Sequence, residues 1–463
     1  MKKKKSKALI FADIILVGTA AIFVSALFYL WHKSYSLQSP VNLKLVSLLT
    51  TGLLLSLIAL QIRESWKINI ALVVFSTVVA AYCVEFVLFV RHNMQFSSSK
   101  IDPRNKLEVL QDLRIAGVDA WPQVRTMYFT ESSGLLSDNN LIFPLGGISE
   151  KTVVYCNETG QYVIFKSDEH GFNNPMGLYR DGVVKAALVG DSFTLGNCVM
   201  PGEDIASLLR NKGLSSLNLG NGGNGPLIEL GLLKEYVEPI HPEIVLWVYY
   251  EGNDLIELED ERKASMLMRY LQEGYSQNLL DRQGEIDATL IKYVNSKWMK
   301  ELPLIANKPK LTREQDVREN VQKVIKLRFL RGRLGLITTS NKTQNPGRIT
   351  NYKTQLPLFS EILTAANQRT SGWGGKLYFV YLPTIERYTN NNYDGNFYDR
   401  DDVIAIVHKL GIPLIDFHEV LVKNPEPLSL VPYAGAHFNA DGYNLLSEFI
   451  FSQLKQDRPL SIE

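Results

Sequence analysis

Four short polar clusters hold the residues best suited to do chemistry. Gly190-Asp191-Ser192-Phe193 offers a hydroxyl, and residues 218–225 form a loop of glycines and asparagines after Leu217. Glu251-Gly252-Asn253-Asp254 offers an amide, and His437-Phe438-Asn439 an imidazole. A serine hydroxyl is a weak nucleophile and needs a base within hydrogen-bond reach. His437 is the candidate base for Ser192. Attack on a carbonyl creates an oxyanion, which needs donors already in place. The backbone N–H groups of Ser192 and Gly223 and the side-chain amide of Asn253 are the candidates. A glycine at 223 lets the backbone come close to the reacting carbon. The chemistry this set can do is acyl transfer through a covalent acyl-enzyme.

Each cluster also has a plainer reading. A Ser after Asp caps helices, and Asn-Asp forms turns. The glycines at 220, 222 and 225 fit a dinucleotide-binding loop, but the acid that reading needs about 20 positions on is absent; Glu251 lies further away. No CxxC or Cys/His cluster suggests a metal, and no cofactor is expected.

The surrounding pattern positions these clusters. Apolar runs at 186–189, 217–219, 244–250, 377–382 and 413–416 predict buried strands, and stretches such as 205–209 and 228–237 predict helices between them. Strands alternating with helices imply a parallel sheet covered on both faces. Ligands of such sheets sit beyond the carboxyl ends of the strands. The first three clusters fall there, and the fourth precedes an apolar helix at 443–454. Residues 256–350 interrupt the rhythm with charged helical stretches and are expected as an insertion over the sheet edge. Residues 99–184 are expected as a linker and small lead-in with a strand near 162–165.

The clusters, taken in order, resemble the four sequence blocks of the SGNH (GDSL-type) hydrolase and acyltransferase superfamily. Ser192 matches its nucleophile, Gly223 its oxyanion glycine, Asn253 its asparagine and His437 its histidine. The resemblance covers 185–458 and implies a three-layer α/β/α, flavodoxin-like domain acting on ester bonds. One position departs. The family usually has an Asp two or three residues before the histidine, which holds the imidazole in its tautomer; here Gly435 and Ala434 stand there. A Ser–His dyad, substitution by Asp416 or Asp254, or an inactive descendant are the alternatives.

The averages of the 463-residue chain describe a soluble protein: 46% hydrophobic, 21% charged, net charge +1, mean hydropathy −0.04. They exclude a disordered chain and argue against nucleic-acid binding. The averages conceal a split. Residues 1–99 hold ten basic and three acidic residues (+7), leaving 39 and 45 (−6) for the rest. Apolar runs at 8–31, 45–62 and 68–90 match the length of membrane-spanning helices. A three-helix membrane anchor over 1–98 is therefore expected. Five lysines before the first run predict a cytoplasmic N-terminus, and three crossings place the body outside the cytoplasm. Asp13 and Glu85 are either solvated at span ends or a functional pair. Cys156 and Cys198 would then lie in an oxidising compartment, where they could pair.

The expected function is a serine esterase in the inner (cell) membrane with a periplasmic catalytic domain, removing O-acyl (acetyl) groups from envelope carbohydrate or lipid. Two alternatives remain: an O-acyltransferase for exported polysaccharide, supplied by a membrane acyl-transfer partner, and a non-catalytic carbohydrate-binding protein.

Overall fold

The computed structural model describes residues 5–37, 43–98, 102, 104–137, 140–298, 321–322, 324–333, 352–388, 400–431 and 437–457. The chain divides into two compact units: Met1–Ser98 with Pro309–Gln344, and Ser99–Lys308 with Asn345–Glu463.

Among the described residues, the first unit holds the helices Lys7–Leu37, Leu43–Ala59 and Glu64–Ser98 and the short helix Arg328–Arg333. Two stretches within them, Lys7–His32 and Glu64–Val90, are long and apolar enough to cross a membrane. The expected span at 45–62 does not meet that standard. Its helix stops at Ala59 after 17 residues, where the Gln61 N–H turns back to the Ile58 carbonyl. Such a helix rises about 25 Å, against a hydrocarbon core of about 30 Å. Asp13 accepts from Lys5 Nζ at 2.7 Å and Lys67 Nζ at 3.1 Å. Glu85 instead accepts the Leu330 N–H at 2.6 Å, and Tyr82 Oη donates to the Ile325 carbonyl at 3.1 Å. The two acids thus have separate partners. Of the expected insertion at 256–350, the described residues 321–322 and 324–333 belong to this first unit. Val324, Leu327 and Leu330 are half-buried, and the helix breaks between them at Leu327, which adopts φ +48° before the helix Arg328–Arg333.

The second unit is built on a five-stranded parallel sheet. Its strands are β6 (Ala186–Gly190), β7 (Ser216–Asn218), β8 (Ile244–Tyr250), β9 (Lys376–Leu382) and β10 (Leu414–Asp416), ordered β10-β9-β8-β6-β7. In chain order this is 2-1-3-4-5, the flavodoxin-like arrangement. β6 and β8 are nearly continuous apolar runs because helices cover both faces. Alternate residues point to opposite sides. Ala187, Val189, Trp247, Tyr249 and Phe379 pack with helices Pro226–Leu232 and Leu356–Gly372. Ala186, Leu188, Leu246, Val248 and Val380 pack with helices Ile205–Asn211 and Ala440–Asp457. The architecture is a three-layer α/β/α sandwich. The strand order reverses between β6 and β8, so the crevice of this fold opens at their carboxyl ends.

The lead-in forms a small sheet ordered β1-β4-β5, from Ala120–Pro122, Thr152–Val154 and Ile164–Lys166, and a hairpin of β2 (Leu135–Ser137) and β3 (Asn140–Ile142). Its core of Val153, Tyr155, Val163 and Phe165 includes Leu195, from the short helix that begins at Ser192. The small sheet is therefore packed against the helix that begins at Ser192.

Candidate active site

β6 ends at Gly190, and the chain turns at once into the helix Ser192–Leu195. The turn is capped by Asp191, whose Oδ1 accepts the Phe193 N–H at 2.8 Å. Ser192 is buried apart from a small opening, at 8% exposure. Its Oγ lies 2.9 Å from His437 Nε2. A longer contact of 3.3 Å joins it to Asp191 Oδ2. The Phe193 ring, 4.9 Å from the imidazole between centroids, packs on the face of His437.

The inner nitrogen of His437 faces a carboxylate. Nδ1 lies 3.0 and 3.1 Å from the two oxygens of Glu158. A carboxylate only accepts, so the Nδ1 proton belongs to this bond and Nε2 keeps its lone pair for Ser192. Glu158 therefore sets the tautomer a general base needs. Asn197 Nδ2 stands 2.5 Å from the same ring nitrogen and 3.4 Å from Glu158 Oε1. Its Oδ1 has no partner; with the amide turned over, that oxygen would share the Nδ1 proton.

Neither acid expected as a substitute reaches the imidazole. Asp416 is held by Arg400 and caps the following turn by accepting the His418 N–H at 3.0 Å. Asp254 Oδ2 accepts the Tyr250 N–H at 3.0 Å, and burial with nearby carboxylates pushes its acidity well down, so its pKa is raised. Gly435 and Ala434, the positions of the absent Asp, lie outside the described residues.

The oxyanion side is built from two loops. Gly223 adopts φ +78°, and a Cβ there would stand 2.1 Å from Met127 Sδ, so only glycine fits. Among the described residues, no protein group accepts from the N–H of Ser192 or Gly223. Both amides are thus left to donate to a developing anion. Asn253 donates its amide to the Asp191 carboxylate, an interaction that opposes the upward push of burial on Asp191. The far end of the glycine loop is fixed by Glu261, which accepts from the Gly225 and Leu227 N–H groups at 2.7 and 2.8 Å. Burial still raises the Glu261 pKa to about 8.

The near end of that loop is held by the lead-in. Gln123 Nε2 donates to Asn221 Oδ1 at 3.0 Å, and Asn221 Nδ2 donates to the Val124 carbonyl and Thr126 Oγ1, each at 3.1 Å. A disulfide joins Cys156 to Cys198, with Cα atoms 5.4 Å apart. Glu158 follows the first cysteine by two residues and Asn197 precedes the second by one. The bridge thus brings together the two side chains on His437 Nδ1. Reading the sequence alone misses both Glu158 and Asn197; the flanking cysteines were the available signal. Among the described residues, no group of three or more His, Cys, Asp or Glu could hold a metal.

No family model and no curated protein matches the chain. Among solved structures it is similar to a G-D-S-L family lipolytic protein from Desulfitobacterium hafniense, at 13% identity and TM-score 0.30, covering 58% of this chain and 97% of that one. It is also similar to the lipase/acylhydrolase from Enterococcus faecalis, at 13% identity and TM-score 0.30, covering 60% and 99%. A third is the acetyl xylan esterase AlAXEase, at 14% identity and TM-score 0.31, covering 58% and 100%. The solved structures it resembles are GDSL-type lipolytic hydrolases and acylhydrolases. The chemistry of the site rests on its own geometry.

Proposed function

We propose that the protein is a membrane-anchored serine esterase of SGNH type, whose catalytic unit is Ser192, His437 and Glu158. The chain of contacts from Glu158 through His437 to Ser192 carries this reading. Ser192 Oγ attacks the ester carbonyl as its proton passes to His437 Nε2. The imidazolium so formed pairs with Glu158, which stays ionised. The Ser192 and Gly223 amides take the oxyanion. His437 then protonates the departing alcohol, and the acyl group remains on Ser192. Water, deprotonated by His437, attacks that ester and releases the carboxylic acid. Glu158 occupies the role left open by the missing Asp, which removes the motive for a non-catalytic reading.

The substrates proposed are O-acyl, chiefly acetyl, esters of envelope carbohydrate or lipid, met on the extracytoplasmic side of the inner membrane. The Cys156–Cys198 disulfide favours an oxidising compartment. Lys5 and Lys67 both meet Asp13, so the first and third helices begin on one side. With these two helices as the spans, the chain leaves the third helix on the side opposite Lys5, where the body is proposed to lie.

The test is hydrolysis of an activated acetyl ester by the full chain in detergent, beside Ser192→Ala. The variant is expected to lose ~10⁴-fold or more in kcat. Equal rates would end the catalytic reading. Adding acetyl-acceptor oligosaccharides separates transfer from hydrolysis: acetylated acceptor in place of free acetate would assign an O-acyltransferase.

A further inference from the structure

Beside the oxyanion loop stand two cations that form no ion pair among the described residues, although the Asp191 and Glu158 carboxylates act on the Tyr155 hydroxyl beside them. A Cβ at Gly222 would lie 3.3 Å from Arg125 Nε and 3.3 Å from Tyr155 Oη, so both groups border the residue next to Gly223. Lys106 Nζ lies over the Tyr155 ring, 5.8 Å from its centroid. Among the described residues, neither Arg125 nor Lys106 has a carboxylate partner. The Tyr155 hydroxyl is buried and unpartnered. Like charges drawn together and partly desolvated oppose folding unless an anion sits between them. The Lys106 ammonium registers this: burial, and then the Arg125 guanidinium, push its pKa down to about 8. A buried phenol without a partner likewise lacks a hydrogen-bond acceptor or donor.

The lead-in fixes this arrangement in place. Arg125 sits between Val124 and Thr126, both of which hold Asn221 of the glycine loop. Lys106 opens the helix Lys106–Ile115, which is capped by Asn105 and Glu108. Tyr155 lies between β4 and the Cys156 bridge. Each therefore comes from a restrained segment and not from a free surface chain.

We propose that Arg125, Lys106 and Tyr155 form an oxyanion subsite that reads a carboxylate or phosphate carried by the substrate next to its acyl ester. The planar guanidinium supplies parallel donors to such a group, the ammonium a point charge, and the phenol one O–H. A neutral acylated sugar would leave these groups unmatched, so the subsite selects acidic acyl-carbohydrate. The choice of substrate rests on the serine-esterase reading; the binding of an anion does not.

The test is calorimetric titration of the full chain in detergent with two probes, an oligo-uronate and a glycerol phosphate oligomer, at low salt. Binding of one probe more tightly than the other identifies carboxylate or phosphate as the group read. Arg125→Met and Lys106→Met are each expected to weaken the preferred probe about tenfold or more. Arg125→Lys, which keeps the charge, is expected to lose less than Arg125→Met. In turnover, the ratio of kcat/KM for an acetylated oligo-uronate to that for an acetylated neutral oligosaccharide is expected to fall by about tenfold in Arg125→Met, mainly through KM. No binding of either probe, or equal affinity in wild type and both Met variants, would overturn the subsite. Loss of turnover selectivity without loss of probe binding would also overturn it. Wild-type hydrolysis by Ser192→Ala would defeat the esterase reading and leave the titration to decide the subsite alone.

Discussion

The parallel sheet and the small sheet ahead of it meet at one imidazole and contribute opposite things to it. The parallel sheet supplies the groups proposed to react. Ser192 stands at the end of β6, Gly223 in the loop after β7 and His437 just before the last helix, while Asn253, after β8, donates to Asp191. The small sheet contributes none of these. It supplies Glu158 on the far side of His437, the clamp on Asn221, and Met127 over Gly223. In the proposed mechanism one region carries the chemistry, and the other sets the tautomer and holds the oxyanion loop.

Several changes would break or sharpen this division. The largest effect is expected from Glu158→Gln, which keeps the shape but loses the carboxylate. It should lower kcat ~10³–10⁴-fold with little change in KM. Asp416→Asn removes a carboxylate of the parallel sheet that faces Arg400 instead. Its cost should appear in melting temperature, with kcat within about threefold. If the two variants exchanged these effects, the acid would belong to the sheet.

A middle effect is expected from Cys156→Ser with Cys198→Ser. The bridge closes a 42-residue separation, which loop entropy values at about 4 kcal/mol. Urea titration should show a loss approaching that value. At a concentration where the fold persists, kcat should still fall about tenfold, because Glu158 and Asn197 lose their common tether. An unchanged kcat would mean that the lead-in holds its acid without the bridge.

Asn221→Ala should act more mildly. It removes the donors to Val124 and Thr126 and the acceptor for Gln123. A loosened glycine loop should lower kcat about tenfold, within the ~10²–10³-fold cost of losing an oxyanion donor outright. The smallest departure concerns location. Alkaline phosphatase fused after residue 98 should be active; an inactive fusion would place both regions inside the cytoplasm.

Much of the parallel sheet was legible from local pattern. Its strands are uninterrupted apolar runs, as at 244–250, and its reactive residues sit in short clusters at strand ends. The expected span at 45–62 was less so, because apolar composition continues past Ala59 while the helix does not. Glu158 was not legible. It lies 279 residues from His437 in a stretch of turns, and only tertiary packing joins them. The two cysteines mark that packing, but a pair of cysteines does not tell which neighbouring side chains it aligns. Residues 324–333 could not be assigned from composition either, since a charged helical stretch fits a sheet edge as well as a contact with Tyr82 and Glu85 of the N-terminal helices.

The most direct test of the catalytic unit is the rate of labelling by a fluorophosphonate, with the modified residue located by mass spectrometry. The label should appear on Ser192 in the wild-type chain, vanish in Ser192→Ala, and form ~100-fold more slowly or worse in Glu158→Gln. Labelling of another residue, or a Glu158→Gln rate equal to wild type, would contradict the account.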